Sequence, residues 1–159
     1  MKVIWHKVTK KELSAILKKG NHTLDDLATD ALHISYDGIT HDIYIPYHAS
    51  TRLRLHELGH AVNGHMEKKG MTFGEWATRE LQADAFVYDK IGKPYDIWMI
   101  ERPIWLLTTE AGCRPCHIIA WVTEALKPYF TLTRKGKSKL WHYIVQYYND
   151  HRKTKRGIR

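Results

Sequence analysis

Between Leu55 and His60 the chain reads Leu-His-Glu-Leu-Gly-His, with its two histidines four residues apart. On an α-helix that separation puts His56 and His60 one turn apart on a single face. Two imidazoles so placed can hold one Zn²⁺ at about 2.0–2.1 Å each. Glu57 follows the first histidine and is rotated by about 100° around the helix axis. It can therefore reach the open side of a metal, where water would stand, without being a ligand, which is the position a general base needs. This pattern is not decisive alone, since chance yields it in roughly 4% of chains with this content of His and Glu.

A hydrolytic zinc site wants three protein ligands and an open fourth position. Downstream lies Arg79-Glu80-Leu81-Gln82-Ala83-Asp84, in which Glu80 and Asp84 share a helix face. Glu80 can complete a His₂Glu set. Asp84 can accept a hydrogen bond from the outer N–H of a ligating imidazole, which orients the ring and raises its basicity. The plain alternative is a histidine-rich solvated helix and two surface acids, but both motifs together favour one zinc ion per chain on His56, His60 and Glu80. His65 lies too close to His60 to be the next ligand. His65, Tyr88, His117 and His142 all have the chemistry to stabilise an oxyanion, and the sequence does not choose among them.

The elements that must carry these residues are well marked. Thr9 to Glu12 and Thr72 to Glu75 have the spacing of capping boxes, and Thr23 to Asp26 is a close variant. They predict helices near 10–19, 73–90 and 24–32, the first stopped by Gly20. From 33 to 46 the period changes to two, with Ile39, His41, Ile43 and Ile45 on one face and Thr40, Asp42 and Tyr44 on the other. With Asp37-Gly38 as a turn, 33–46 reads as a hairpin ended by Pro46. The exposed edge of its 39–46 strand would offer an extended peptide a place to add. Ser50 suits the N-cap of a helix running to about 66, with Leu55, Leu58, Val62 and Met66 as its core stripe. Beyond 96 the chain reads as helical throughout, and Ile118, Val122 and Ala125, then Leu140, Ile144 and Tyr148, read as core. The expected fold is α+β, a single domain over 1–159 with a short hairpin or small sheet and a mainly helical portion from 96 to 159.

The 159 residues are 43% hydrophobic and 26% charged, near the averages for globular proteins, and no apolar run is long enough for a membrane span. The first residues show no apolar stretch of the secretory kind, so the expectation is a cytoplasmic protein. The formal charge of +8 is unevenly spread: residues 1–111 hold 14 Lys/Arg against 15 Asp/Glu, and residues 112–159 hold 11 against 2. That basic pole could dock nucleic acid or an acidic partner, its last stretch, 152–159, being otherwise a solvated tail. Cys113 and Cys116 are the only cysteines, too few for a disulfide scaffold. Cys-Arg-Pro-Cys-His formally matches haem attachment, a redox pair or half of a second zinc site, but two small apolar side chains beside a helix starting at Pro115 explain it more simply.

His-Glu-x-x-His followed by Glu-x-x-x-Asp resembles the gluzincin metallopeptidases. The wording is closer still to the ImmA/IrrE family of small bacterial and phage peptidases. The carriers are His56-Glu57-Leu58-Gly59-His60 with His65 after it, and Glu80-Leu81-Gln82-Ala83-Asp84-Ala85-Phe86-Val87. The resemblance covers roughly residues 23–90. It implies a zincin-like core over 1–95, His56, His60 and Glu80 as zinc ligands, Glu57 as base, and a protein substrate such as a DNA-binding repressor. Past Phe86 the chain departs from the family's Leu-Leu-x-Pro ending and shows Tyr88-Asp89-Lys90-Ile91-Gly92-Lys93-Pro94 instead. Two other readings compete. A zinc-stabilised regulatory or DNA-binding module without proteolysis would not need Glu57, and a SprT-like DNA-associated protease would use a different third ligand.

Overall fold

The computed structural model describes residues 1–19, 31–68, 70–94, 98–109 and 112–156. Among them are three strands and six helices, in the order β1 (Lys2–Val8), α1 (Lys10–Lys19), β2 (Leu32–Ile34), β3 (Thr40–Pro46), α2 (Thr51–Val62), α3 (Phe73–Lys90), α4 (Trp98–Thr109), α5 (Pro115–Leu126) and α6 (Arg134–Arg156). The protein is thus mixed α+β and mostly helical, with a small sheet. Two compact units divide it, Met1–Lys69 and Gly70–Arg159. Among the described residues no helix is long and apolar enough to cross a membrane. The helix expected over 24–32 lies outside the described residues but for its end, where Leu32 already belongs to β2.

In the first unit the strand order is β1-β3-β2. β3 pairs with β1 in parallel, from Lys2 opposite Thr40 to Val8 opposite Pro46. It pairs with β2 antiparallel, His33 standing opposite Ile43. The expected hairpin is present, and its turn is closed by Asp37, whose Oδ1 accepts from the backbone N–H of Ile39 at 2.8 Å and Thr40 at 2.7 Å. Those donors hold the Asp37 carboxyl below its ordinary range. β1 is an additional strand. It makes β3 the middle of the sheet, with β1 along its whole length on one side and β2 against residues 42–44 on the other, so β3 is not an edge strand and the expectation of an exposed edge for a peptide is corrected.

Alternation along β3 sorts the two faces. His41, Ile43 and Ile45 are buried on one, where Ile43 and Ile45 pack with Ala61 of α2 and with Val3 and Leu53. Tyr44 is on the other, where Val8, Leu13, Leu17 and Leu32 form a cluster that seats α1. α1 starts at its expected capping box, Glu12 Oε2 accepting from Thr9 N at 2.7 Å. α2 starts at Ser50, whose Oγ accepts from Leu53 N at 3.1 Å, but stops at Val62 rather than near 66. Gly64 adopts a φ of 66°, a left-handed turn that only glycine enters cheaply, and this ends the helix. The core stripe also differs: Val62 and Met66 are 46% and 41% exposed, while Leu53, Gly59 and Ala61 face inward.

In the second unit α3, α4, α5 and α6 share one apolar core. Ala77, Leu81 and Ala85 supply the α3 row, and it meets Ile100, Ile104 and Leu107 of α4, Ile118, Val122, Ala125 and Leu126 of α5, and Leu140 and Ile144 of α6. The spacing of four keeps that row on one helix face. α3 begins at its capping box, with Glu75 N donating to Thr72 Oγ1 at 3.2 Å and Thr72 N donating to Glu75 Oε2 at 2.9 Å. α5 begins with Pro115 in its first turn. Beside it Cys113 is half-buried against the core and Cys116 is exposed.

Candidate metal centre

α2 brings His56 and His60 one turn apart, as their spacing requires. Their Nε2 atoms stand 3.2 Å from one another, the rings meeting edge to face at 77°. Two nitrogens each about 2.05 Å from one tetrahedral ion would lie about 3.3 Å apart. The observed separation is close to what two nitrogens on one ion would show. Glu80 lies on α3, offset by one residue from the core row at Leu81. One ligand atom from each of His56, His60 and Glu80 lies within 4.8 Å of the others, and all three residues are half-buried, so the group can hold a metal ion. Two imidazoles and a carboxylate are a donor set that suits Zn²⁺. Among the described residues no other group of three or more His, Cys, Asp or Glu is so arranged, and Cys113, Cys116 and His117 do not make one.

The remaining expected residues fall as follows. Glu57 is buried, 6% exposed, next to His56 on α2. Asp84 is half-buried on α3, one turn beyond Glu80. His65 is buried, 7% exposed, with its Nδ1 2.8 Å from the Nδ1 of His60. Tyr88 packs against the helical core of the second unit. His117 is exposed near Trp121, and His142 is exposed with its Nδ1 2.7 Å from the carbonyl of Ser138.

Two histidines beside the site escape sequence reasoning, His33 and His41. The His33 ring lies nearly parallel to that of His60, 12° between planes and 5.7 Å between centroids. His33 Nε2 is 2.9 Å from His41 Nδ1, and His41 Nε2 is 3.3 Å from the carbonyl of Gly38. The carbonyl can only accept, so His41 donates from Nε2, and a neutral His41 ring then accepts at Nδ1 from His33. The available signal was His41 itself, a polar residue in register with Ile43 and Ile45 on a core face and fully buried. Comparisons of this chain with protein-family models, curated proteins and solved structures give no match.

Proposed function

We propose that this chain is a zinc-dependent peptidase of the gluzincin type with a zincin-like core, holding one Zn²⁺ on His56, His60 and Glu80. The observation that carries the reading is the convergence of those three side chains, with the two Nε2 atoms at ligand spacing. A zinc ion held by these residues would supply Lewis acidity for polarising a carbonyl and activating water. Glu57 would act as the general base that takes a proton from water and later passes it to the leaving amine. Its burial directly after His56 on α2 supports that role, because it places a carboxylate beside the proposed metal and away from bulk water. By its resemblance to the ImmA/IrrE family, the substrate is a regulatory protein in the cytoplasm, a DNA-binding repressor being the first to test.

The experiment is metal analysis of the purified protein paired with single variants. Wild type and Glu57→Gln should each carry one zinc per chain, with hydrolysis lost only in Glu57→Gln, by at least roughly a hundredfold. His56→Ala and Glu80→Ala should lose the metal. Stoichiometric zinc in Glu80→Ala would remove the third ligand from the assignment. Full zinc with no cleavage of any offered repressor or of unfolded casein would leave the zinc-stabilised binding module as the reading.

A further inference from the structure

Resting on the zinc reading above, we infer that His65 is the positioning residue of the centre, accepting the outer N–H of His60 and so fixing which nitrogen of that ring meets the metal. The local chain geometry delivers it. Past α2, Asn63 N donates to Gly59 O at 3.0 Å, Gly64 N to Ala61 O at 3.0 Å and His65 N to His60 O at 3.0 Å. With Gly64 left-handed, this pattern folds the second residue past the cap back over the residue three places before it. In most helices that contact is apolar. Here it joins two imidazoles, His65 and His60, Nδ1 to Nδ1 at 2.8 Å.

His65 is also held from its far side. Two residues on, Glu67 N donates to Ser35 O at 2.7 Å, which ties the segment to the hairpin turn. The His60 ring is thus set by the α2 backbone, by the face of His33 and by the nitrogen of His65. The proton placement follows without choice. A neutral imidazole that meets a metal through Nε2 carries its proton on Nδ1, and that proton faces His65. His65 Nδ1 must then be the acceptor, and the His65 proton resides on Nε2.

Two substitutions separate this role from packing. His65→Leu fills the space but accepts nothing from the His60 N–H. His65→Asn places its Oδ1 where the imidazole Nδ1 stood. Zinc affinity is measured by competition against a chromophoric chelator, and Co²⁺-loaded protein is examined for the intense visible bands of a tetrahedral site, with circular dichroism confirming the metal-free fold. His65→Leu should bind zinc roughly 10- to 100-fold more weakly than wild type. His65→Asn should recover most of that loss. Equal affinity of His65→Leu and wild type overturns the inference, as does an equal loss in both variants. In zinc-loaded wild type, long-range ¹⁵N–¹H spectra should show the His65 proton on Nε2, and a proton on Nδ1 overturns the inference without any variant. Wild-type protein that takes up no zinc would sink the metal reading itself, an outcome distinct from zinc-loaded protein indifferent to residue 65.

Discussion

The histidines at and beside the centre have two different physical origins, and this decides what the sequence reveals. His56 and His60 belong to one helix, so their meeting is a consequence of 3.6 residues per turn and is legible from spacing alone. Glu80 is legible by chemistry, as the acid a His₂ pair lacks. His33 and His41 are not, because they come together through strand pairing, with His33 opposite Ile43 and His41 two residues before it on the same face. No local period encodes that register. The plain reading of the cysteines as packed apolar side chains fits Cys113 but not Cys116. Burial pushes the Cys113 thiol above its ordinary range, so less of it is thiolate near pH 8, while Cys116 is exposed. A maleimide should therefore label native protein once, at Cys116, and twice after denaturation, as read by mass spectrometry of the labelled peptides. Equal labelling rates at both sites under native conditions would contradict the packing of Cys113.

At the scale of elements, what the sequence signals best is how helices begin. Thr9, Ser50 and Thr72 each precede a helix, because a hydroxyl that accepts an orphan N–H is a local device. Helix ends and strands are less visible. α2 stops short because of Gly64, which an apolar stripe running on to Met66 conceals. β1 is hidden because Lys2-Val3-Ile4-Trp5-His6-Lys7 alternates only weakly and is stabilised by β3, some forty residues away. Close helix packing is equally non-local. A Cβ added at Gly74 would stand 2.6 Å from Trp121 Cζ2, and that indole is packed against the helical core and cannot simply swing aside. Alanine gains up to about 1 kcal/mol over glycine in helix propensity, but overpacking costs typically 1–3 kcal/mol. Gly74→Ala should thus lower stability by about 1–2 kcal/mol in denaturant titration. In a Trp121→Leu background the same change should become neutral or stabilising, and equal losses in both backgrounds would show that the indole is not the obstacle.

For the molecule as a whole, the charge gradient along the chain acquires a location. Arg134, Lys135, Lys137 and Lys139 are all exposed at the start of α6, a helix with no acid in its first turn. The N-terminal end of a helix already carries partial positive charge, so cations there are held against the local field. Folding gains nothing from this arrangement, whereas a polyanion gains from both the side chains and the helix end. The division between the compact units was not legible, since no composition change marks residues 69 and 70 and the charge shift lies far beyond them. Yet the packing explains why the basic helix belongs with α3: Leu140 and Ile144 share a core with Leu81. The prediction is that the protein binds duplex DNA at low salt, with log K falling linearly in log salt by about 0.9 per phosphate neutralised. Reversing all four residues to Glu should abolish that binding. Because acids at a helix N-terminus are favourable, the same variant should keep or raise its melting temperature, which separates loss of binding from loss of fold. Absence of retention on DNA at low salt, or retention unchanged by the reversal, would show that the basic face is only solvated. If binding is lost and repressor cleavage falls with it while casein cleavage does not, the basic helix is the element that selects the substrate.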